Sequence, residues 1–457
     1  MTRRTMSTPP EKSEVEKVLS RRWAVFGVLA IAYFFVYFHR VSTAVVSADL
    51  EATFGVDAAA IALLSSAYFY AYTIMQLPSG LLTDSLGPRK TVSIFTLVAA
   101  AGAILTGIAS SFELVVAGRL LIGVGVAMVY IPAMKILSTW YRKNEFASLT
   151  GILIAVGNVG GLSAAGPLAL ISEALGWQEV FVMLGAITIL LAAVVWTITR
   201  DRPSDMGLPS IQEIEAMERG GSEPVSESGT TEEEAKEKEM TVEETMEKIP
   251  MAEALKMTFG SGRKFWPLAV WFFFMYGSVM VYQGLWAGPF FSDVLGWDKP
   301  TYGLVLTFIG MGMILGCPIA GYLSDRVLKS RRKVLIMGTV AYTITWAVIW
   351  VTAGEITGTE AYMAINFFFG FFGGFLVVSF AQIKELFPIS IAGTSTAALN
   401  IFPFAGGAIL QHLSGLMLTD RSLESYREIW LFMLLCMIVA TAAAFLSLEK
   451  KTARGRG

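Results

Sequence analysis

Charge is scarce in this chain. Only 16% of its 457 residues are Asp, Glu, Lys or Arg, against about 25% in a soluble domain, which leaves too little polar surface to hold it in water. Cysteine numbers two, Cys317 and Cys436, far apart and each inside an apolar run. Such thiols read as small core residues rather than a disulfide or metal pair, so neither a metal nor a cofactor is expected. No G-x-x-x-x-G-K-[ST] loop occurs, and no polar stretch is long enough to form a nucleotide-binding domain, which argues against an ATP-driven pump. Nothing points to a hydrolytic or redox enzyme. The net charge of −2 hides a sharp segregation along the chain and carries no nucleic-acid signal. Residues 1–22 are polar and basic and the first apolar run has full span length, so no signal peptide is expected.

Apolar residues fill the space that charge leaves. They make up 54% of the chain, in runs long enough to cross a bilayer, which takes about 20 residues as a helix. Spans are read at 23–47, 58–82, 91–110, 113–138, 147–172 and 177–199, then at 266–292, 302–323, 334–353, 358–384, 392–418 and 427–448. The expected fold is an all-α membrane protein of twelve transmembrane helices in two six-helix bundles. Its parts are an N-terminal tail (1–22), a first bundle (23–199), an acidic linker (200–265), a second bundle (266–448) and a C-terminal tail (449–457).

Lys and Arg set the expected orientation, because cytoplasmic loops hold the excess. Arg3, Arg4, Lys12, Lys17, Arg21 and Arg22 precede the first span. Same-side loops carry Arg89-Lys90, Arg142-Lys143 and the cluster Arg326, Lys329, Arg331, Arg332, Lys333; the tail adds Lys450, Lys451, Arg454 and Arg456. The other side has Lys299, Arg421 and Arg427. Both termini are therefore expected in the cytoplasm, with the chain multi-pass in an inner or plasma membrane. The linker, with its run TEEEAKEKEM at 231–240, buries too little apolar area to offset its ordering entropy and reads as a solvated tether. A helical stretch around 242–258, carrying Met251, Leu255 and Met257, is expected to lie along the membrane surface.

The two sets of spans repeat. Pro78-Ser-Gly-Leu-Leu-Thr-Asp84 ends the second and Pro318-Ile-Ala-Gly-Tyr-Leu-Ser-Asp325 the eighth, while GNVGG (157–161) in the fifth has its counterpart in PFAGG (403–407) in the eleventh. Duplicated bundles inserted in the same orientation are a carrier architecture with a site near the midplane between them.

On these residues the chain resembles the major facilitator superfamily over essentially its whole length. Gly80-Leu-Leu-Thr-Asp84-Ser-Leu-Gly87-Pro-Arg89-Lys90 is similar to that family's G-x-L-x-D-R-x-G-R-K signature, departing at Ser85. Gly321-Tyr-Leu-Ser-Asp325-Arg326 with Arg331, Arg332 and Lys333 is similar to its second copy. Arg119-Leu-Leu-Ile-Gly123-Val-Gly125 resembles the R-x-x-x-G-x-G motif of helix four. The resemblance implies that Asp84, Arg89, Arg119, Asp325 and Arg326 form gating or structural charge networks that hold one conformation closed. The fifth helix lacks the Gly-Gly that follows Gly-Pro in proton-driven drug exporters, having Leu168-Ala169 after Gly166-Pro167.

An ionisable residue within a span usually faces a cavity or a partner. Arg40 lies past the middle of the first span with no acid in that span. Tyr37-Phe38-His39-Arg40 and SSAYFYAYTIMQLPSG (65–80) resemble the anion:cation and organophosphate branches of the superfamily, where the matching arginine binds the substrate's anionic group. A planar guanidinium suits a carboxylate or phosphate. The seventh span carries no second arginine and offers Tyr282 and Gln283, which favours a carboxylate over a phosphomonoester. Lys135 and Lys384, at matching ends of helices four and ten, are candidates to draw anions into a common vestibule. The competing reading has them snorkelling to the interface. Tyr68 and Tyr72 share one helix face; with Gln283, Trp286 and Asn400 they complete the candidate substrate-binding set. His39 is a candidate for proton coupling, opposed by the positive charge of Arg40.

The expected function is a secondary transporter of a small organic anion, working by alternating access with protons or by exchange, as a monomer in the lipid bilayer. The alternatives are an exporter of amphipathic drugs or metabolites, indifferent to Arg40, and a transporter-like ligand sensor.

Overall fold

The computed structural model describes residues 12–218 and 251–449. The acidic run 231–240 and the start of the helical stretch read at 242–258 lie outside the described residues; the rest of that stretch is a helix, Met251–Gly260. Among the described residues the regular structure is entirely helical. In the first half α1 is Lys12–Phe54, α2 Ala58–Leu86, α3 Pro88–Gly107, α4 Phe112–Ala127, α5 Tyr130–Trp140, α6 Lys143–Ala165, α7 Pro167–Leu175 and α8 Trp177–Ile198. Between the halves lie α9 (Ile211–Glu218) and α10 (Met251–Gly260). The second half has α11 (Trp266–Val281), α12 (Ala287–Asp293), α13 (Lys299–Tyr322), α14 (Arg331–Thr352), α15 (Thr359–Gly373), α16 (Val377–Leu386), α17 (Ile389–Met417) and α18 (Leu423–Leu446).

Among the described residues eleven helical stretches, from Lys12–Thr43 to Leu423–Leu446, are long and apolar enough to cross a membrane. Helix α17 covers the span read at 392–418 and is 29 residues long, with Pro403 inside it. The first helix runs well past both ends of its apolar stretch. On one side Val15 and Val18 pack with Ile211 and Ile214 of α9, so the polar lead-in is held as helix by a small apolar contact outside the spans. Arg142 locks the same corner through Glu218 at 2.6 Å and Glu215 at 3.9 Å.

Local chemistry sets the turns and repeats between halves. Gly55 and Gly296 both take a positive φ, 64° and 68°, which side chains with a Cβ rarely adopt. Two residues later Asp57 and Asp298 cap α2 and α13 by accepting from the backbone N–H groups of Ala60 and Thr301, satisfying donors the helix leaves free.

Small residues set the helix crossings. A Cβ on Gly160 of α6 would collide with the Phe34 carbonyl of α1, and one on Gly406 of α17 with the Phe273 carbonyl of α11. The GNVGG and PFAGG segments are thus the same crossing made twice. Gly312 and Gly316 of α13 meet the backbone of Phe367 and Phe371 in α15 in the same way. The halves join where α2 lies along α17 and α6 along α13.

Candidate functional site

Arg40 stands where the halves meet, on α1 and 3% exposed. Its Nη1 donates to the Tyr276 hydroxyl of α11 at 2.7 Å, a bond that crosses from one half to the other. Three rings surround the guanidinium, Tyr37 at 4.4 Å, Phe404 at 5.3 Å and Tyr72 at 5.6 Å, and cation–π attraction of this kind strengthens as water is removed. Gly157 of α6 makes room for the Tyr33 and Tyr37 rings, since a Cβ there would stand 3.0 Å from each. Tyr72 packs on Phe404 of α17 at 4.2 Å. One turn further along α2, Gln76 accepts from Asn400 at 3.4 Å, again across the halves. Arg40 Nε is buried without a hydrogen-bond partner among the described residues. The arginine is thus held by rings and one phenol, with a donor left over.

Tyr68, behind Tyr72, is fully buried and donates to the Val36 carbonyl at 3.4 Å. Arg119 lies over the Tyr68 ring at 4.9 Å and gives Nη1 to the His39 carbonyl at 2.7 Å. The His39 ring is wholly buried and neither nitrogen has a partner among the described residues. Arg40, Tyr72, Tyr68 and Asn400 therefore gather in one region, with Arg119 and His39 beside them.

The other candidates make no bond to Arg40 among the described residues. Trp286 is fully buried in a segment that packs against α1, and its Nε1 donates to Ser414 at 2.8 Å. Gln283 is half-buried in a π-turn, Tyr282–Trp286, that interrupts the helix running from α11 into α12. Lys135 is at the helix ends on the side that carries the chain termini, paired with Asp84. Lys384 is exposed on that side. Among the described residues neither lysine bonds to Arg40 or to the rings around it; Lys135 is held by Asp84 instead.

We call the side carrying the termini the terminal face and the other the far face. On the terminal face the charge networks stay within a half. Asp84 binds Lys135, and Arg89 donates Nε and Nη2 to the Trp196 carbonyl at 2.9 and 2.6 Å instead of reaching Asp84. Asp325 binds Arg331, which also reaches Glu385 at 3.1 Å, and Arg326 is exposed. On the far face the networks cross. Lys299 binds Asp49 at 2.8 Å, and Arg421 bridges Glu51 of the first half to Asp293 of the second. Tyr426 donates to the same Asp293 at 2.6 Å. Among the described residues, every ion pair joining the halves is on the far face.

Sequence reading missed Tyr276, Phe404 and the far-face pairs. A signal for Tyr276 existed. Phe34 and Phe273 occupy equivalent crossings, and counting three on from each reaches Tyr37 and Tyr276, so the repeat supplies both tyrosines that flank Arg40.

A family model for the Major Facilitator Superfamily matches residues 29–327 and 268–456. The chain is 25% identical over 386 residues to "Probable sulfoacetate transporter SauU" of Cupriavidus necator, covering 82% of this chain and 81% of that one. It is 23% identical over 424 residues to a "Probable hexose phosphate transport protein" of Chlamydia trachomatis, with coverage of 92% and 89%. A D-galactonate transporter of Escherichia coli is 22% identical over 402 residues, with coverage of 85% and 86%. Among solved structures, a bacterial homolog of the lysosomal transporter Spinster superposes with a TM-score of 0.70 at 17% identity, covering 93% of this chain and 96% of its own. A D-xylose–proton symporter gives 0.70 at 12% identity, with coverage of 94% and 98%. These last two speak for the fold. Duplicated crossings, matched helix caps and a cation buried between the halves agree with the match: the chain belongs to the Major Facilitator Superfamily and is a multi-pass membrane transporter, not an enzyme.

Proposed function

We propose that this transporter carries a small organic anion of the carboxylate type, held by Arg40, through alternating access of two six-helix bundles. The observation that carries the reading is Arg40 itself: buried between the halves, ringed by Tyr37, Tyr72 and Phe404, and bonded only to a neutral phenol. A carboxylate offers a stronger, charge-assisted partner than a phenol, and the names of the relatives, with sulfoacetate and D-galactonate among them, support that class. In this reading α17 is the twelfth span, 200–265 is the linker and the terminal face is cytoplasmic, as the excess of Lys and Arg there supports. Gln76 and Asn400 line the ligand's path as neutral hydrogen-bonding groups. A thermal-shift screen of carboxylates, sugar acids and phosphate esters tests it. Carboxylates that stabilise the protein support the reading; stabilisation only by neutral or cationic amphiphiles overturns it in favour of the exporter.

Tyr276 then acts as a stand-in for the ligand. Its hydroxyl takes the Arg40 donor while the site is empty and gives it up when an oxyanion arrives. Tyr276→Phe is expected to tighten carboxylate binding several-fold, because the anion no longer displaces a bond. Calorimetric titration checks this, and weaker binding would instead make the phenol a direct ligand contact.

The far-face pairs close the carrier on that side, so the state described here releases its ligand toward the terminal face. Arg421→Ala removes the bridge between Glu51 and Asp293. Such a pair lies between an exposed one, worth about 1 kcal/mol or less, and a buried one at about 2–5 kcal/mol. The expected result is a roughly tenfold rise in molecules open on the far face, read by spin labels at Ala52→Cys and Ser292→Cys. Acidity acts on the same latch. Burial pushes the Glu51 carboxyl above its ordinary value, although Arg421 pulls the other way. A group whose value is raised by closure takes up a proton more readily in the closed form, so acid favours closure. That contribution is full below the open form's value and is lost as pH rises through the closed form's value. Lowering the far-side pH through the carboxylate range is expected to reduce the open population. Glu51→Gln, which cannot titrate, is expected to abolish that dependence.

A further inference from the structure

We propose that the ligand is a dianion, with one negative group met by Arg40 and the other by Arg119; this extension rests on the anion reading above. Arg119 is 1% exposed and uses only Nη1, on the His39 carbonyl. Its Nε and Nη2 are buried with no hydrogen-bond partner among the described residues. Arg40 shares part of this profile, with Nη1 on Tyr276 and Nε buried and unpartnered among the described residues. The two cations are linked through stacked rings. Arg119 lies over the Tyr68 ring, and that ring stacks on Tyr72, one of the rings around Arg40. The backbone links them as well, since the carbonyl that Arg119 holds belongs to the residue before Arg40.

No acid answers this pair. Among the described residues the buried Lys, Arg, His, Asp and Glu side chains are His39, Arg40 and Arg119, with no carboxylate. Taking an ion out of water costs several kcal/mol even after relaxation, and here two cations bear that cost. An arginine serving only to pack helices would have its donors taken by carbonyls or a carboxylate. Two of the three Arg119 nitrogens have neither. A ligand with one negative group relieves Arg40 alone. A ligand with two relieves both, and its second group gains charge-assisted bonds that Arg119 leaves unmade. The unpartnered ring nitrogens of His39 supply a further donor or acceptor next to that second group. The chemistry fits a short chain bearing two anionic groups, as in a dicarboxylate or a sulfonated carboxylate.

Esterifying one end of such a molecule removes one charge and keeps the rest. The full-length protein, purified in lipid nanodiscs, is titrated calorimetrically with succinate, sulfoacetate and the carboxyl monomethyl ester of each. The expected result is that at least one diacid binds about 30-fold or more tighter than its ester. Arg119→Gln is expected to bring that ratio within about threefold by weakening the diacid and leaving the ester unchanged. Two results overturn the proposal: diacid and ester binding alike to the unaltered protein, or Arg119→Gln weakening both equally, which marks a structural role. Should Arg119→Gln fail to fold, the diacid-to-ester ratio of the unaltered protein decides. Ester binding without diacid preference defeats the dianion and spares the anion reading. If none of the four binds and the carboxylate screen is also silent, both fail.

Discussion

Arg40→Ala is expected to abolish binding and uptake of the anionic ligand while leaving the protein folded. Truncating one partner of a buried charged contact costs about 2–5 kcal/mol, or roughly 30- to 4,000-fold in affinity. The anion would also meet the Tyr37, Tyr72 and Phe404 rings with no guanidinium between them. Stability is not expected to fall in step, because Arg40 is itself a buried charge with a neutral partner. Replacing such a group by an apolar one is often neutral or stabilising for the empty protein. The diagnostic is therefore a crossed result: an unliganded melting temperature that holds or rises, and a ligand-induced shift that vanishes. Arg40→Lys keeps the charge and loses the planar fork, so an intermediate loss is expected. Uptake by proteoliposomes that survives Arg40→Ala would remove the anion assignment and favour the amphiphile exporter.

The second large effect concerns folding. Gly406→Leu is expected to give no monodisperse protein, because the new side chain would have to enter the Phe273 carbonyl of α11. A backbone carbonyl cannot turn aside as a flexible side chain can. Overpacking typically costs about 1–3 kcal/mol and more where nothing yields, and separating α11 from α17 would also expose the surface that Arg40 faces. Gly160→Leu is expected to fail in the same way against Phe34. Gly393→Ala, on the same helix as Gly406 but with no atom within 4 Å, is expected to leave the melting temperature within a degree or two. Fluorescence-detected gel filtration with a thermal ramp compares all three. If Gly406→Leu behaved as Gly393→Ala does, the tight crossing of α11 and α17 would be wrong.

The fold was legible because membranes allow few solutions. Long apolar runs must become helices, and the repeated PSGLLTD/PIAGYLSD and GNVGG/PFAGG segments announced two copies. The site was legible where one residue type was rare. An arginine in mid-span with no acid nearby is conspicuous in a chain this poor in charge, and Arg40 does lie at the junction of the halves. Tyr276 and Phe404 were not legible, because α11 and its surroundings are crowded with aromatic residues and only the crossing geometry tells which ring meets Arg40. Trp286 shares the span with Tyr276, and only the structure shows that its indole donates to Ser414. The lysines illustrate a third limit: position along a helix placed Lys135 near one face, but only structure shows Asp84 as its partner. The far-face latch joins charges distant in sequence, Asp49 with Lys299 and Glu51 with Arg421. In the sequence those residues count only as sparse loop charges.

A seal made of ions also responds to the electrolyte around it. Screening at physiological ionic strength reaches about 8 Å, and the Lys299 and Arg421 side chains retain 22% and 31% exposure, so dissolved salt reaches them in part. On the proposed latch, a saline medium on that side is expected to loosen the closed state with no ligand present, and a dilute one to hold it. Ionic strength would then join acidity as an input to that latch.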